Sequence, residues 1–90
     1  MATIEDRIEH CERRLLRAVK AADHVLTGDG RVSEAAAAAL IGVHKDTLRD
    51  WRGRGEGPDH FRIGGTVTYA VHDLAAFIEV ARVHGAEARG

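Results

Sequence analysis

Apolar residues recur along the first part of the chain at intervals alternating between four and three: Ile4, Ile8, Cys11, Leu15, Ala18, Ala22 and Val25. This spacing predicts an amphipathic helix from Thr3 to Leu26. Thr3 is its expected N-cap, and Glu5 and Asp6 sit in the first turn, where negative charge favours the helix dipole. The unbroken heptad period reads as a self-association seam, with Ile4, Ile8, Cys11 and Leu15 as its stronger half before alanines take over. In a parallel pair Arg7 of one copy would face Glu12 of the other. The segment "TGDGR" then breaks the helix with two glycines.

A second helical pattern begins at Ser33. Ser33 is a suitable N-cap, Glu34 follows in the first turn, and a run of alanines leads to Gly42, a natural left-handed C-cap. Helical spacing resumes in "KDTLRDWRG", where Leu48 and Trp51 mark the inner side. Ala38, shortly before Gly42, is small enough for two helices to cross closely. Helix, glycine turn and helix make a helix-turn-helix layout. "GRGEGPD" is a loop that carries the single proline. "HFRIGGTVTYAV" alternates apolar and polar positions and reads as a hairpin. A three-residue loop, Gly64 to Thr66, pairs Ile63 with Val67 and Phe61 with Tyr69. It places all four apolar side chains on one face, so this register is expected. A last helix, about His72 to Val83, sets Leu74, Phe77, Ile78 and Ala81 on one side. The expected fold is mainly α with a small β-hairpin wing: a winged helix-turn-helix over residues 31–84, preceded by a long N-terminal helix over 1–27 and followed by a flexible tail at 85–90.

Composition narrows the function. With 90 residues, 44% hydrophobic and 30% charged, the chain is one ordinary globular domain. No apolar run approaches the roughly 20 residues of a membrane span, and the charged N-terminus lacks a signal-peptide core. Cys11 is the one cysteine, so no internal disulfide forms, which fits a reducing cytoplasm. A net charge of −1 sets a constraint, because strong non-specific nucleic-acid binders are usually basic.

Residues 32 to 83 resemble the excisionase and MerR-type winged helix-turn-helix family. The resemblance rests on "VSEAAAAALIGVHKDTLRDW", "RGEGP", "FRIGGTVTY" and "DLAAFIE", in that order. It implies that the second helix of the motif enters the major groove of duplex DNA and that the wing follows the adjacent backbone or minor groove. Small members of that family are recombination directionality factors, regulators of mobile elements, or DNA-binding parts of phage terminase small subunits. Where that family's wing carries arginines, this chain has Thr66, Thr68, Ala70 and Val71. Where the recognition helix is usually capped by serine, it has His44.

On a wheel of 100° per residue, Asp46, Arg49, Asp50 and Gly53 face outward, with Lys45 and Arg52 on the flanks. Arg49 can fork onto guanine O6 and N7, and Asp46 can accept from cytosine N4. Lys45, Arg52 and Arg54 are placed for phosphates. Arg62 is expected on the outer face of the wing, with Thr66 and Thr68 on its return strand. The competing reading is a solvated helix laced with local ion pairs. From His44 to Arg62, five cations (Lys45, Arg49, Arg52, Arg54, Arg62) meet four anions (Asp46, Asp50, Glu56, Asp59), a net of +1. Tight binding would therefore need several protomers on one site.

No metal site is expected: His10 and Cys11 are adjacent rather than ligand-spaced, and no second cysteine exists. No phosphate loop follows a strand, and no nucleophile–base set has supporting context, so neither catalysis nor a cofactor is expected. Two functions compete. One is a nucleoid-associated, sequence-specific DNA binder of a phage or mobile element, working as a homo-oligomer with a recombinase or other phage protein. The other is a protein-interaction module, or a terminase small subunit, on the same fold.

Overall fold

The computed structural model describes residues 2–82. The tail expected at 85–90 and the end of the last helix at Val83 lie outside the described residues. The elements run α1 (Ile4–Ala21), β1 (Arg31–Ser33), α2 (Glu34–Ile41), α3 (Lys45–Gly53), β2 (Phe61–Ile63), β3 (Thr66–Ala70) and α4 (Val71–Ala81).

Helix α1 starts as its sequence dictates. Thr3 Oγ1 accepts from the Asp6 N–H at 3.1 Å and the Asp6 carboxylate accepts from the Thr3 N–H at 3.1 Å, a reciprocal capping box. It stops at Ala21, five residues before the expected Leu26. Asp23 takes a left-handed φ of 57°, and the His24 and Asp23 amides bond back to the carbonyls of Val19 and Lys20. This is a Schellman stop with aspartate in the place glycine usually fills.

The inward face of α1 also differs from the heptad seam. Ile8, Cys11 and Leu15, expected as a seam between copies, pack against the core of their own domain, and the next buried residue is Val19, 3% exposed, while Ala18 is exposed. Ala22 and Val25 lie beyond the helix, Val25 at 85% exposure. The run 8, 11, 15, 19 keeps the period of a straight helix rather than the 3.5 residues of a supercoil. The physical reason is that α1 lies along α4 of its own domain. Leu15 and Val19 join the same core as Val32, Leu48, Tyr69 and Leu74.

The helix-turn-helix forms at the residues read from the sequence. Ser33 Oγ accepts from the Ala36 N–H at 3.1 Å, and Ala36, Ala37 and Ala38 are all buried, letting α2 sit close to its neighbours. Gly42 has φ 84°, and both its N–H and that of Val43 bond to the Ala38 carbonyl, so α2 closes there. After α3, the loop folds back onto Trp51. The Glu56 N–H bonds the Trp51 carbonyl at 2.8 Å, and a Cβ on Gly57 would lie 3.3 Å from the indole. Trp51 is half-buried, its ring centroid 6.0 Å from that of Phe77.

The wing is a sheet of three strands, ordered β1-β3-β2 and antiparallel throughout. Strand β1 was not legible beside the hairpin. The hairpin register differs from the expected one: Ile63 pairs with Thr66, Arg62 with Val67 and Phe61 with Thr68. Gly64 and Gly65 both have positive φ, 58° and 81°, the two-residue turn whose twist matches that of the strands. The apolar residues are thereby split. Tyr69 is fully buried, but Phe61 and Ile63 are 42% and 57% exposed on the opposite face. Collecting four apolar side chains on one face gains nothing here, because β2 overhangs the core and is exposed along its whole length.

Candidate nucleic-acid interface

The recognition helix begins on an unusual cap. His44 Nδ1 accepts from the Asp46 N–H at 3.1 Å, which leaves the ring proton on Nε2. Imidazole thus does what the more common serine would, and α3 is properly started. Leu48, 1% exposed, anchors the helix, and turns Lys45, Asp46, Arg49 and Asp50 to solvent. Arg49 is flanked by two carboxylates, 3.6 Å from Asp46 and 3.9 Å from Asp50, with 60% of its side chain exposed. These contacts are long and wet, worth little each, and they do not prevent the guanidinium from reaching a base edge. Lys45 is exposed and has no ion-pair partner among the described residues.

Arg52 lies elsewhere than expected. Its guanidinium forks onto Glu34, Nε to Oε2 at 2.8 Å and a terminal nitrogen to Oε1 at 3.1 Å, and the Tyr69 hydroxyl donates to Glu34 Oε2 at 2.7 Å. The side chains of Arg52 and Glu34 are only 18% and 20% exposed. The forked hydrogen bonds from Arg52 hold the Glu34 carboxyl below the usual glutamate range, against the opposing effect of burial. Burial, followed by the bond to Glu34, pushes the Tyr69 phenol well above the ordinary tyrosine value. The cluster ties the start of α2, the end of α3 and β3 together. Arg52 is therefore committed inside the domain, as a brace for α3.

Arg54 donates to Glu56 at 2.7 Å, a bond that holds its pKa above the ordinary arginine value, but it is 59% exposed. In the observed register Arg62 shares the pleat face of Val67 and Tyr69 and not the outer face expected for it; it is exposed because the strand overhangs. Thr66 and Thr68 occupy the outer face with Phe61 and Ile63. The Thr68 hydroxyl accepts from Arg31 at 2.7 Å, and Arg31 lies 5.4 Å over the Phe61 ring. Sequence reading missed Arg31, whose role depends on the unrecognised strand β1. It also missed the basic half of α1. Arg13, Arg14, Arg17 and Lys20 are all exposed, no acid lies between Arg13 and Ala22, and no ion pair engages them among the described residues.

The structure thus brings Lys45, Asp46 and Arg49 together on one exposed helix face. Arg54 follows in the adjoining loop and Arg62 stands on the wing. Among the described residues no group of three or more His, Cys, Asp or Glu could hold a metal ion, and no helix is long and apolar enough to cross a membrane.

Two helices joined by a glycine turn, a three-stranded wing and a closing helix define a winged helix-turn-helix protein. The chain belongs to the helix-turn-helix domain family, whose pattern matches residues 32–81, from β1 to the end of α4. Helix α1 lies outside the matched region. No curated protein matches the chain, and no solved structure does.

Proposed function

We propose that this protein is a sequence-specific DNA binder of the excisionase-like kind, either a recombination directionality factor or a small transcriptional regulator of a phage or mobile element. The observation that carries this reading is the exposed face of α3. Lys45, Asp46 and Arg49 are exposed on a helix capped at His44, anchored by Leu48 and braced by the Arg52–Glu34–Tyr69 cluster, Arg49 making only long contacts to Asp46 and Asp50. In this reading α3 enters the major groove, with Arg49 forked onto a guanine and Lys45 on a phosphate. The wing tip at Gly64–Gly65 and Arg62 follow the adjacent backbone.

With Arg52 committed internally, the electrostatic component of binding is smaller than the sequence count implies, so isolated sites bind weakly. Several copies on repeated sites, or a recombinase or other phage protein bound alongside, would raise the effective affinity. The protein then acts without catalysis, at the nucleoid. Affinity selection from a pool of random duplexes tests this. An enriched motif that Arg49→Ala fails to enrich supports base readout by α3. A pool unchanged after selection favours the rival reading of a protein-interaction module, and binding of DNA ends or length without sequence favours a terminase-like role.

A further inference from the structure

An open groove of about 1070 Å³ runs between α1 and α4 and reaches the end of α2. Its floor is apolar: Leu15, Ala18, Ile41, Phe77 and Ile78 line it, and Ile41, Phe77 and Ile78 are only half-buried. It shares no residue with the exposed face of α3, the loop at Arg54 or the wing. It is built largely from α1, the element outside the family match.

The rim is cationic. Arg7, Arg14 and Arg82 stand around it with two acids, Asp6 and Glu79. Both acids are engaged within the chain. Asp6 caps Thr3, and Glu79, 10% exposed, is held 3.5 Å from Arg7 and 3.4 Å from Arg82. Arg14 has no ion-pair partner among the described residues, and the basic run continues along α1 through Arg17 and Lys20. Arg7 Nε is buried beside Glu79 at 3.5 Å, too far for a good hydrogen bond and with no other acceptor among the described residues, while 31% of the Arg7 side chain stays exposed at the rim. Half-covered apolar side chains beside the exposed Arg14, unpaired among the described residues, call for an occupant that is apolar on one side and acidic at its edges.

We propose that the α1–α4 groove is a docking site for an amphipathic helix of a partner protein whose apolar stripe is flanked by glutamate or aspartate. The apolar stripe covers Ala18, Ile41 and Phe77, and a flanking carboxylate reaches Arg7 and Arg14. A second copy of α1 fits poorly. Its groove-facing edge carries Arg7 and Arg14 itself, and would oppose like charges. Because the groove and the α3 face are separate, the partner and DNA bind together.

The test uses the full chain and a fluorescein-labelled helical peptide of about four turns, with leucines on one face and glutamates beside them. A counterpart carries lysines in place of glutamates. Anisotropy should show saturable binding of the acidic peptide alone. Ala18→Trp, which fills the groove at an exposed position, and Arg14→Glu should each weaken it by about tenfold or more. Thermal unfolding of both variants confirms that they fold. Amide shifts on titration should centre on Cys11, Ala18, Ile41 and Phe77, and Ala18→Trp should leave DNA binding unchanged. The proposal is overturned by any of the following results. The first is no saturable binding of the acidic peptide, and the second is equal binding of the lysine peptide. The third is shifts confined to Arg13, Arg17 and Lys20, or the same groove shifts produced by a DNA duplex. The fourth is a peptide-free dimer that Ala18→Trp converts to a monomer. Loss of DNA binding by Arg49→Ala with peptide binding intact separates this site from the α3 reading.

Discussion

Removing the Arg52 guanidinium distinguishes a brace from a phosphate ligand. Arg52→Ala deletes two hydrogen bonds to Glu34, at 2.8 and 3.1 Å, and leaves a carboxylate that is 20% exposed with Tyr69 as its remaining donor. Breaking a fully buried pair by removing one partner costs about 3–5 kcal/mol, whereas an exposed pair is worth at most about 1 kcal/mol. At this burial the expected loss is about 2–3 kcal/mol, a large share of the roughly 5–15 kcal/mol that holds such a domain. Urea unfolding at neutral pH measures it. Tyr69→Phe should cost about 1–2 kcal/mol through its single charge-assisted bond. Glu34→Gln combined with Arg52→Ala should cost less than the sum of the two, because both remove the same interaction. The pH dependence has a definite sign. The Glu34 carboxyl titrates below its unfolded value, so its contribution is present above the ordinary glutamate range and is lost as pH falls through the lowered value. The Arg52→Ala penalty should therefore shrink in acid. An Arg52→Ala variant as stable as the parent but weaker on all DNA sequences alike would refute the brace and restore Arg52 as a phosphate contact.

Other outcomes follow from the same geometry. His72, at the start of α4, bonds Glu12 of α1 at 2.8 Å, and that bond raises its pKa above the ordinary histidine value. This stabilisation is complete below the unfolded pKa and fades as pH rises through the raised one, so a Tm series over about pH 6 to 8 should show a decline that Glu12→Gln flattens. With His72 59% exposed, the effect is at most about 1 kcal/mol. Gly65→Ala should cost about 1 kcal/mol in urea unfolding through its φ of 81° alone, since no atom of the described residues lies within 4 Å of the added methyl. A fragment beginning at Gly30 loses Leu15 and Val19, buried to 8% and 3% exposure. At about 1.5–3 kcal/mol for each side chain it should lack cooperative unfolding by circular dichroism. A well-folded fragment would show that α1 is an appendage after all.

Local chemistry was legible in the sequence wherever cause and effect sit within a few residues. Thr3, Ser33 and Gly42 announce their caps, and Leu48 fixes which face of α3 is wet. The misses all depend on distant partners. Arg52 read as a flanking cation because Glu34 and Tyr69 are 18 and 35 positions away from the groups they bind. Strand β1 is three residues long and exists only because β3 offers it a ladder. The hairpin register followed the glycines, whose positive φ decides the turn, and not the apolar count, which matters only where a core lies beneath the strand. The α1 seam looked like a coiled coil because Ile8, Cys11 and Leu15 satisfy both periods. Only the fourth contact, Val19 rather than Ala18, separates them. The basic half of α1 is legible as four cations without an acid, but that they stay exposed and unpaired among the described residues depends on how α1 lies along α4.

The proposed base readout by α3 rests on Arg49. Its most direct measurement is binding of the full chain to the duplex enriched by selection and to a scrambled duplex of the same length, at several salt concentrations, for the parent and for Arg49→Ala. Arg49→Ala should weaken the selected duplex by about 1–3 kcal/mol, leave the scrambled one nearly unchanged, and barely alter the salt slope. Equal binding of parent and variant to the selected duplex, or an equal loss on both duplexes with a shallower salt slope, would contradict it.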